Sequence, residues 1–274
     1  MQIADVSGER IAYLESSGPG RPVIFVHGNS SAARTWRPLL DGSFGRKFRC
    51  LAFDLPGHGQ SARASDPAAY SLPGYASVLA EFAAATGAPD AVVVGWSLGG
   101  HIALEAAPAM PEAAGFVIFG APPVASAEQM AQAFMPNPAM NVGFTAEVTD
   151  AEARSYAAAF TAPGSALEAD EFVADVLATD GAARAGLMAS LGEGRFGDET
   201  AIVSALRQPL AILHGEGEQL VCLAYLRDVP MAGLWRGEIQ LIPGAGHAPH
   251  RETPEQFATL LEQFITDLDG GGAP

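Results

Sequence analysis

One serine stands between glycines 95 and 99 in Gly-Trp-Ser-Leu-Gly, after an apolar run at 92–94 and before a helix-like stretch beginning at His101. This is the G-x-S-x-G arrangement in the strand–turn–helix setting of a nucleophile elbow. Glycines on either side let backbone approach closely where a Cβ would obstruct it, and the sharp turn holds Ser97 in a strained conformation. An ordinary turn is the plainer reading, and the position directly after a buried-strand pattern weighs against it. A serine hydroxyl is a poor nucleophile until a base takes its proton. Of the six histidines, His27 and His214 end apolar runs in His-Gly pairs and read as packed or backbone-bonded. His58, in a Pro-Gly-His-Gly turn, and His101, opening the helix after the elbow, also read as structural. His247 follows the last apolar run on the glycine-rich loop "PGAGHAPH", where it can reach back to the serine, with His250 as runner-up.

The base needs an orienting acid. Glu216 and Glu218 follow the run ending at His214. Glu218, four residues after that histidine, is preferred over Glu216, with Asp228 a distant third. Acyl transfer also needs hydrogen-bond donors where negative charge develops on oxygen. The N–H of Leu98 suits that role, together with Asn29 in the early loop "HGNSS". The alternative for Asn29 is simple turn chemistry. Trp96, beside the nucleophile, is counted with the substrate-contacting residues.

Elements able to position these groups are visible in the hydrophobic pattern. Short apolar runs at 22–28, 49–59, 91–97, 115–123, 209–218 and 237–247 each end in glycine or a turn. Runs without alternation suggest strands buried on both faces, as in a parallel sheet. A hairpin around 7–8 precedes them. Helix-like stretches intervene, including 71–87 and a C-terminal helix with Thr253 as N-cap and Pro254 in its first turn. The expected fold is α/β, a mostly parallel sheet flanked by helices. Between about 124 and 208 the strand pattern stops, and four helical stretches follow at 126–134, 150–160, 165–180 and 181–191. We read residues 1–123 and 209–274 as two parts of one core and 124–208 as an inserted helical cap; the last residues, from 269, read as frayed. The cap carries Met130, Met135, Met140, Met188, Phe134, Phe144, Phe160 and Phe172. These could line an adaptable apolar slot or simply pack the cap on the core.

With 274 residues, 49% hydrophobic, the chain can bury a sizeable core. Its net charge of −16 disfavours nucleic acid and anionic membrane as partners. The two cysteines, Cys50 and Cys222, form no metal-ligand spacing and no disulfide scaffold, though a single bridge stays open. The first residues lack the basic and apolar regions of a signal peptide, so a cytoplasmic location is expected. No metal is expected, because no HxHxDH cluster is present, and no cofactor is expected.

Five segments in order, "HGNSS", "FDLPGHGQS", "GWSLGG", "HGEGE" and "GAGHAPHRETPEQF", resemble the α/β-hydrolase superfamily. The closer resemblance is to serine-dependent, metal-independent N-acyl-homoserine lactonases of the AidH type, to which "APPV" at 121–124 and "GLWRG" at 233–237 are also similar. That resemblance implies Ser97 as nucleophile, His247 as base, Glu218 as its acid, Asn29 and Leu98 at the oxyanion, and Tyr156 as a cap residue contacting substrate. The implied activity is opening of the lactone ring of N-acyl-homoserine lactones, a quorum-quenching reaction. A general carboxylesterase would use the same triad, and a lactone-binding receptor of this fold could retain it. Haloalkane dehalogenase and epoxide hydrolase chemistry would need Asp at position 97. The expected partner is a small lactone or ester.

Overall fold

Valine, isoleucine and phenylalanine dominate the short runs, and a computed structural model places them in one eight-stranded sheet. It describes residues 1–6 and 8–270. The strands are β1 Gln2–Val6, β2 Glu9–Glu15, β3 Gly20–Val26, β4 Phe48–Phe53, β5 Val92–Trp96, β6 Gly115–Phe119, β7 Leu210–Gly215 and β8 Gln240–Ile242. Their order across the sheet is β1-β2-β4-β3-β5-β6-β7-β8. The first two strands pair antiparallel, and β3 to β8 run parallel. The expected N-terminal hairpin is therefore present; Ser7 and the tail at 271–274 lie outside the described residues.

Every residue of β5, β6 and β7 is buried, as expected for strands covered on both faces. Successive residues divide between the two faces. Ile24, Val26, Val93, Phe116 and Ile118 pack with helices α1 (Leu72–Ala85) and α2 (Leu98–Ala106). Val23, Phe25, Val92, Val94, Val117 and Phe119 pack on the other side against Trp36, Phe44, Phe257, Leu261 and Phe264. Each such side chain contributes about 1.5–3 kcal/mol by leaving water.

Numbering helices of six residues or more, five lie between β6 and β7: α3 Ala127–Ala133, α4 Asp150–Ala158, α5 Asp170–Ala178, α6 Gly181–Gly192 and α7 Glu199–Ala205. A 3-10 stretch, Pro138–Phe144, joins α3 to the rest. The four expected helical stretches are present, but α5 begins at Asp170 rather than 165, where Asp170 and Glu171 form its acidic first turn. The α7 helix and the 3-10 stretch went unanticipated, although Asp198 caps α7 by accepting the Ala201 N–H at 2.8 Å. Helix α8 (Leu223–Asp228) follows β7.

The guanidinium of Arg184, which is 3% exposed, organises this helical segment from within. It donates to the carbonyls of Thr145 and Ala146 at 2.7 and 2.9 Å and to Val176 at 3.0 Å. Contacts outward to the sheet side include Arg34–Asp175 at 2.7 Å and Arg251–Glu171 at 2.8 Å.

The C-terminal helix α9, Pro254–Asp269, packs Phe257, Leu261 and Phe264 inward. Thr253 occupies its N-cap position without capping it: the hydroxyl donates to the Pro249 carbonyl instead, at 3.3 Å. Both cysteines are free, so no disulfide forms between them. Among the described residues, no helix is long and apolar enough to cross a membrane.

Candidate active site

The order of strands reverses where the chain leaves β4, passes over β3 and enters as β5. In open α/β sheets, ligands bind beyond the C-terminal strand ends at such a switch. Asn29 follows β3 and Ser97 follows β5 at that place.

Ser97 has φ 53° and ψ −120°, a conformation that side-chain-bearing residues rarely adopt. It persists because the surroundings over-determine it. A Cβ at Gly95 would collide with the carbonyl of Gly99, and one at Gly99 with the carbonyl of Val26. The Ser97 N–H donates to the Phe119 carbonyl at 2.9 Å, tying the turn to β6. Directly after that carbonyl, Gly120 (φ 64°) leaves room for the His247 ring, which a Cβ there would strike.

His247 and Glu218 form a buried pair, with Nδ1 to Oε2 at 2.8 Å and side chains only 1% and 2% exposed. The other carboxylate oxygen accepts the Leu220 N–H at 2.7 Å. Burial pushes the Glu218 carboxyl up, but the His247 charge, its hydrogen bond and the Leu220 N–H outweigh burial and hold it below its usual value. Two further contacts fix the histidine loop. The Trp96 indole N–H donates to the His247 carbonyl at 2.8 Å. The Glu252 carboxylate accepts from Gly246 N–H and Ala162 N–H, both at 2.7 Å, linking this loop to the end of the helical segment. The imidazole Nε2 is buried without a hydrogen-bond partner among the described residues. Serine and imidazole are thus brought to one corner of the sheet but are not hydrogen-bonded, as is common before substrate binds.

The remaining candidates separate cleanly. His250 is fully buried, with Nε2 on Thr35 Oγ1 at 2.8 Å, and burial holds it well below the usual histidine range. Glu216 and Asp228 are exposed. His27 accepts the Leu55 N–H at Nε2 (3.0 Å) and bonds the Gly28 carbonyl through Nδ1 (2.8 Å); burial lowers it to about 4. His58 is lowered to about 3, chiefly by burial and then by His27.

A cavity opens in front of Ser97. Among its lining residues, Asn29, Ser97, His101 and Tyr156 carry polar side-chain groups; the others are apolar and include Leu98, Met130, Phe134, Met140 and Phe144. Among the described residues, the N–H groups of Asn29 and Leu98 have no protein acceptor. The Asn29 amide is already engaged, donating to the Gly143 carbonyl at 2.6 Å while its oxygen accepts from Ser30 Oγ at 3.0 Å. Burial raises Tyr156, whose hydroxyl lies beside Gly143.

Several placements differ from expectation. Trp96 is 1% exposed and absent from the cavity wall; its ring packs with Phe160, Phe172 and His250, and its N–H serves the His247 loop. Phe160 and Phe172 are therefore core, and Met188 is 51% exposed. His101, expected to be structural, lines the cavity and bonds the buried Glu199, while Glu252 was not singled out at all. The position of His101, four residues after Ser97 and so on one helix face with it, was the available signal. Glu252 carried none in the sequence. Among the described residues, no three His, Cys, Asp or Glu side chains could hold a metal ion.

Residues 23–260 match the alpha/beta hydrolase family, and the chain belongs to that family. Among solved structures it is similar to the N-acyl homoserine lactonase AidH complexed with N-butanoyl homoserine. The TM-score is 0.92 at 40% identity, over 97% of this chain and 96% of that one. A serine-to-glycine mutant of AidH complexed with N-hexanoyl homoserine lactone gives 0.92 at 39% identity, over 97% of each chain. Pimeloyl-(acyl-carrier protein) methyl ester esterase of Nitrosomonas europaea is 26% identical over 266 residues, 91% of this chain and 98% of that protein. The expected enzyme class, carboxylic-ester hydrolase, agrees with these lactonase and esterase neighbours.

Proposed function

We propose that this protein is a metal-independent serine hydrolase that opens the lactone ring of N-acyl-homoserine lactones, a quorum-quenching activity. The observation that carries the reading is the strained Ser97 at the mouth of an apolar cavity, beside a buried His247–Glu218 pair whose Nε2 is unpaired. In this reading Glu218 holds the Nδ1 proton, leaving Nε2 to take the proton of Ser97 Oγ as it attacks the lactone carbonyl. The N–H groups of Leu98 and Asn29 receive the oxyanion. The ring C–O bond breaks, and the ring oxygen leaves as the homoserine hydroxyl with the proton from His247. Water, deprotonated by the same nitrogen, then releases the acyl-enzyme as N-acyl-homoserine. Tyr156 would contact the lactone or the amide.

The segment at 124–208 acts as the cap that accommodates the acyl chain, through Met130, Phe134, Met140 and Phe144. The AidH complexes support the choice of substrate: the serine-to-glycine mutant is complexed with an intact lactone, the unsubstituted protein with an opened acyl homoserine. A second reading, a carboxylesterase for small acyl esters, is favoured by the esterase relative and uses the same triad.

Product analysis with N-octanoyl-homoserine lactone, chelator present, separates these readings when run beside a short-chain aryl ester. Ring opening that survives chelation and falls by about 10⁵-fold or more in Ser97→Ala is expected. Ester cleavage without ring opening would move the assignment to carboxylesterase, and turnover limited to one equivalent to a receptor.

A further inference from the structure

His101 and Glu199 form a second histidine–glutamate pair, outside the triad. His101 lies on α2 one turn beyond Ser97, a rise of about 6 Å, and lines the same cavity. Its Nδ1 sits 2.9 and 3.0 Å from the two oxygens of Glu199, a residue with no solvent exposure. Oε2 also accepts the Val124 N–H at 3.0 Å. A fully buried carboxylate is costly unless its partners are well placed, and the lactone chemistry proposed above does not use this one.

The pair fixes a tautomer. A carboxylate can only accept, so the His101 Nδ1 carries hydrogen, and in the tautomer with its one hydrogen there Nε2 is an acceptor. That Nε2 bonds no described residue and is not sealed off by protein. In a predominantly apolar slot, a single oriented polar atom sets specificity rather than affinity alone. We propose that His101 Nε2 accepts a hydrogen bond from a hydroxyl on the acyl chain, so that the site prefers 3-hydroxyacyl chains over unsubstituted and 3-oxo chains. A keto oxygen, itself an acceptor, would face an acceptor. Glu199 is the positioning residue. The proposal rests on the lactonase reading for the identity of the acyl chain.

The test uses full-length protein carrying Ser97→Ala, so that binding is read without turnover. It is titrated by calorimetry with the N-octanoyl, N-(3-hydroxyoctanoyl) and N-(3-oxooctanoyl) homoserine lactones. The hydroxy chain should bind about five- to tenfold more tightly than the unsubstituted one, the value of one net hydrogen bond. Adding His101→Leu should bring that ratio to about one. Adding Glu199→Gln should turn the preference towards the keto chain. The glutamine oxygen must accept the Val124 N–H, which aims its NH₂ at Nδ1 and moves the ring hydrogen to Nε2. Equal affinities for hydroxy and unsubstituted chains with His101 intact overturn the proposal. So does a preference that persists unchanged in both variants, as a purely structural pair between α2 and α7 would leave it. Ring opening of the octanoyl lactone by the unmodified protein is followed in parallel. Its absence overturns the lactonase reading, whereas its presence with equal affinities overturns the His101 proposal alone. Failure to bind any of the three chains overturns both.

Discussion

The corner of the sheet that carries Ser97, Glu218 and His247 differs in kind from the helical segment that faces it across the cavity. At the corner, polar atoms are held from more than one side: Glu218 by His247 and Leu220, and the His247 loop by Trp96 and Glu252. Across the cavity, Met130, Phe134, Met140 and Phe144 present apolar surface and are themselves only partly buried. Proton transfer tolerates errors of only a few tenths of an ångström, so groups able to carry it out must be over-determined. An alkyl chain asks only for apolar volume, which flexible thioethers and rings supply without fixed geometry. Hydrogen bonds are therefore concentrated at the corner, and partly buried, conformable apolar side chains on the facing wall.

The largest expected effect on that contrast comes from Glu218→Gln. The Leu220 N–H claims the glutamine oxygen, so its NH₂ would face Nδ1 and drive the imidazole hydrogen onto Nε2, disabling the base. Measured kcat/KM should fall by about 10³–10⁴; a fall below tenfold would show that the pair does not set the tautomer.

Next is the response to acid, in which the two regions pull in opposite directions. His27 and His58, lowered to about 4 and about 3 by burial, are neutral when folded but protonate near 6.5 when unfolded. Their stabilisation is complete above pH 6.5 and is lost as pH falls through 4 and 3, on the order of 3 kcal/mol for His27 by pH 4. Asp175 of the helical segment is raised to about 6, chiefly by burial and against the charge of Arg34. It binds its proton more tightly folded than unfolded, so its contribution to stability falls as pH rises from about 4 to 6. Urea midpoints should therefore fall between pH 7 and 4, and fall more steeply in Asp175→Asn. An unchanged slope in that variant would remove Asp175 from the account.

The smallest effect tests adaptability itself. Phe144→Ala should raise KM for the octanoyl lactone about five- to tenfold and leave the butanoyl lactone within about twofold. Equal losses for both chains would mean that the wall is rigid, and the contrast between the regions would fail.

The parallel sheet was legible because strands buried on both faces must be almost wholly apolar, and β5, β6 and β7 are, His214 near the end of β7 excepted. The elbow was legible because a sharp strand-to-helix turn demands glycine at fixed offsets; that Glu218 rather than Glu216 is buried against His247 was not, because it depends on how the loop after β7 folds. Trp96 was misread because adjacency in sequence says nothing about direction: the residue before Ser97 is the last of a strand and points into the core. The pairing of His101 was hidden for a related reason. Its partner Glu199 is 98 residues away, and no local pattern joins them.

By itself, the sequence determined what short-range physics controls: strand and helix periods and the strained serine turn. The tertiary structure alone decided which carboxylates are buried against which imidazoles, that Glu252 clasps the histidine loop, and which residues between β6 and β7 reach the cavity. Those outcomes depend on contacts between distant segments, whose partners are chosen by how the helices pack over the sheet and not by neighbours in the chain.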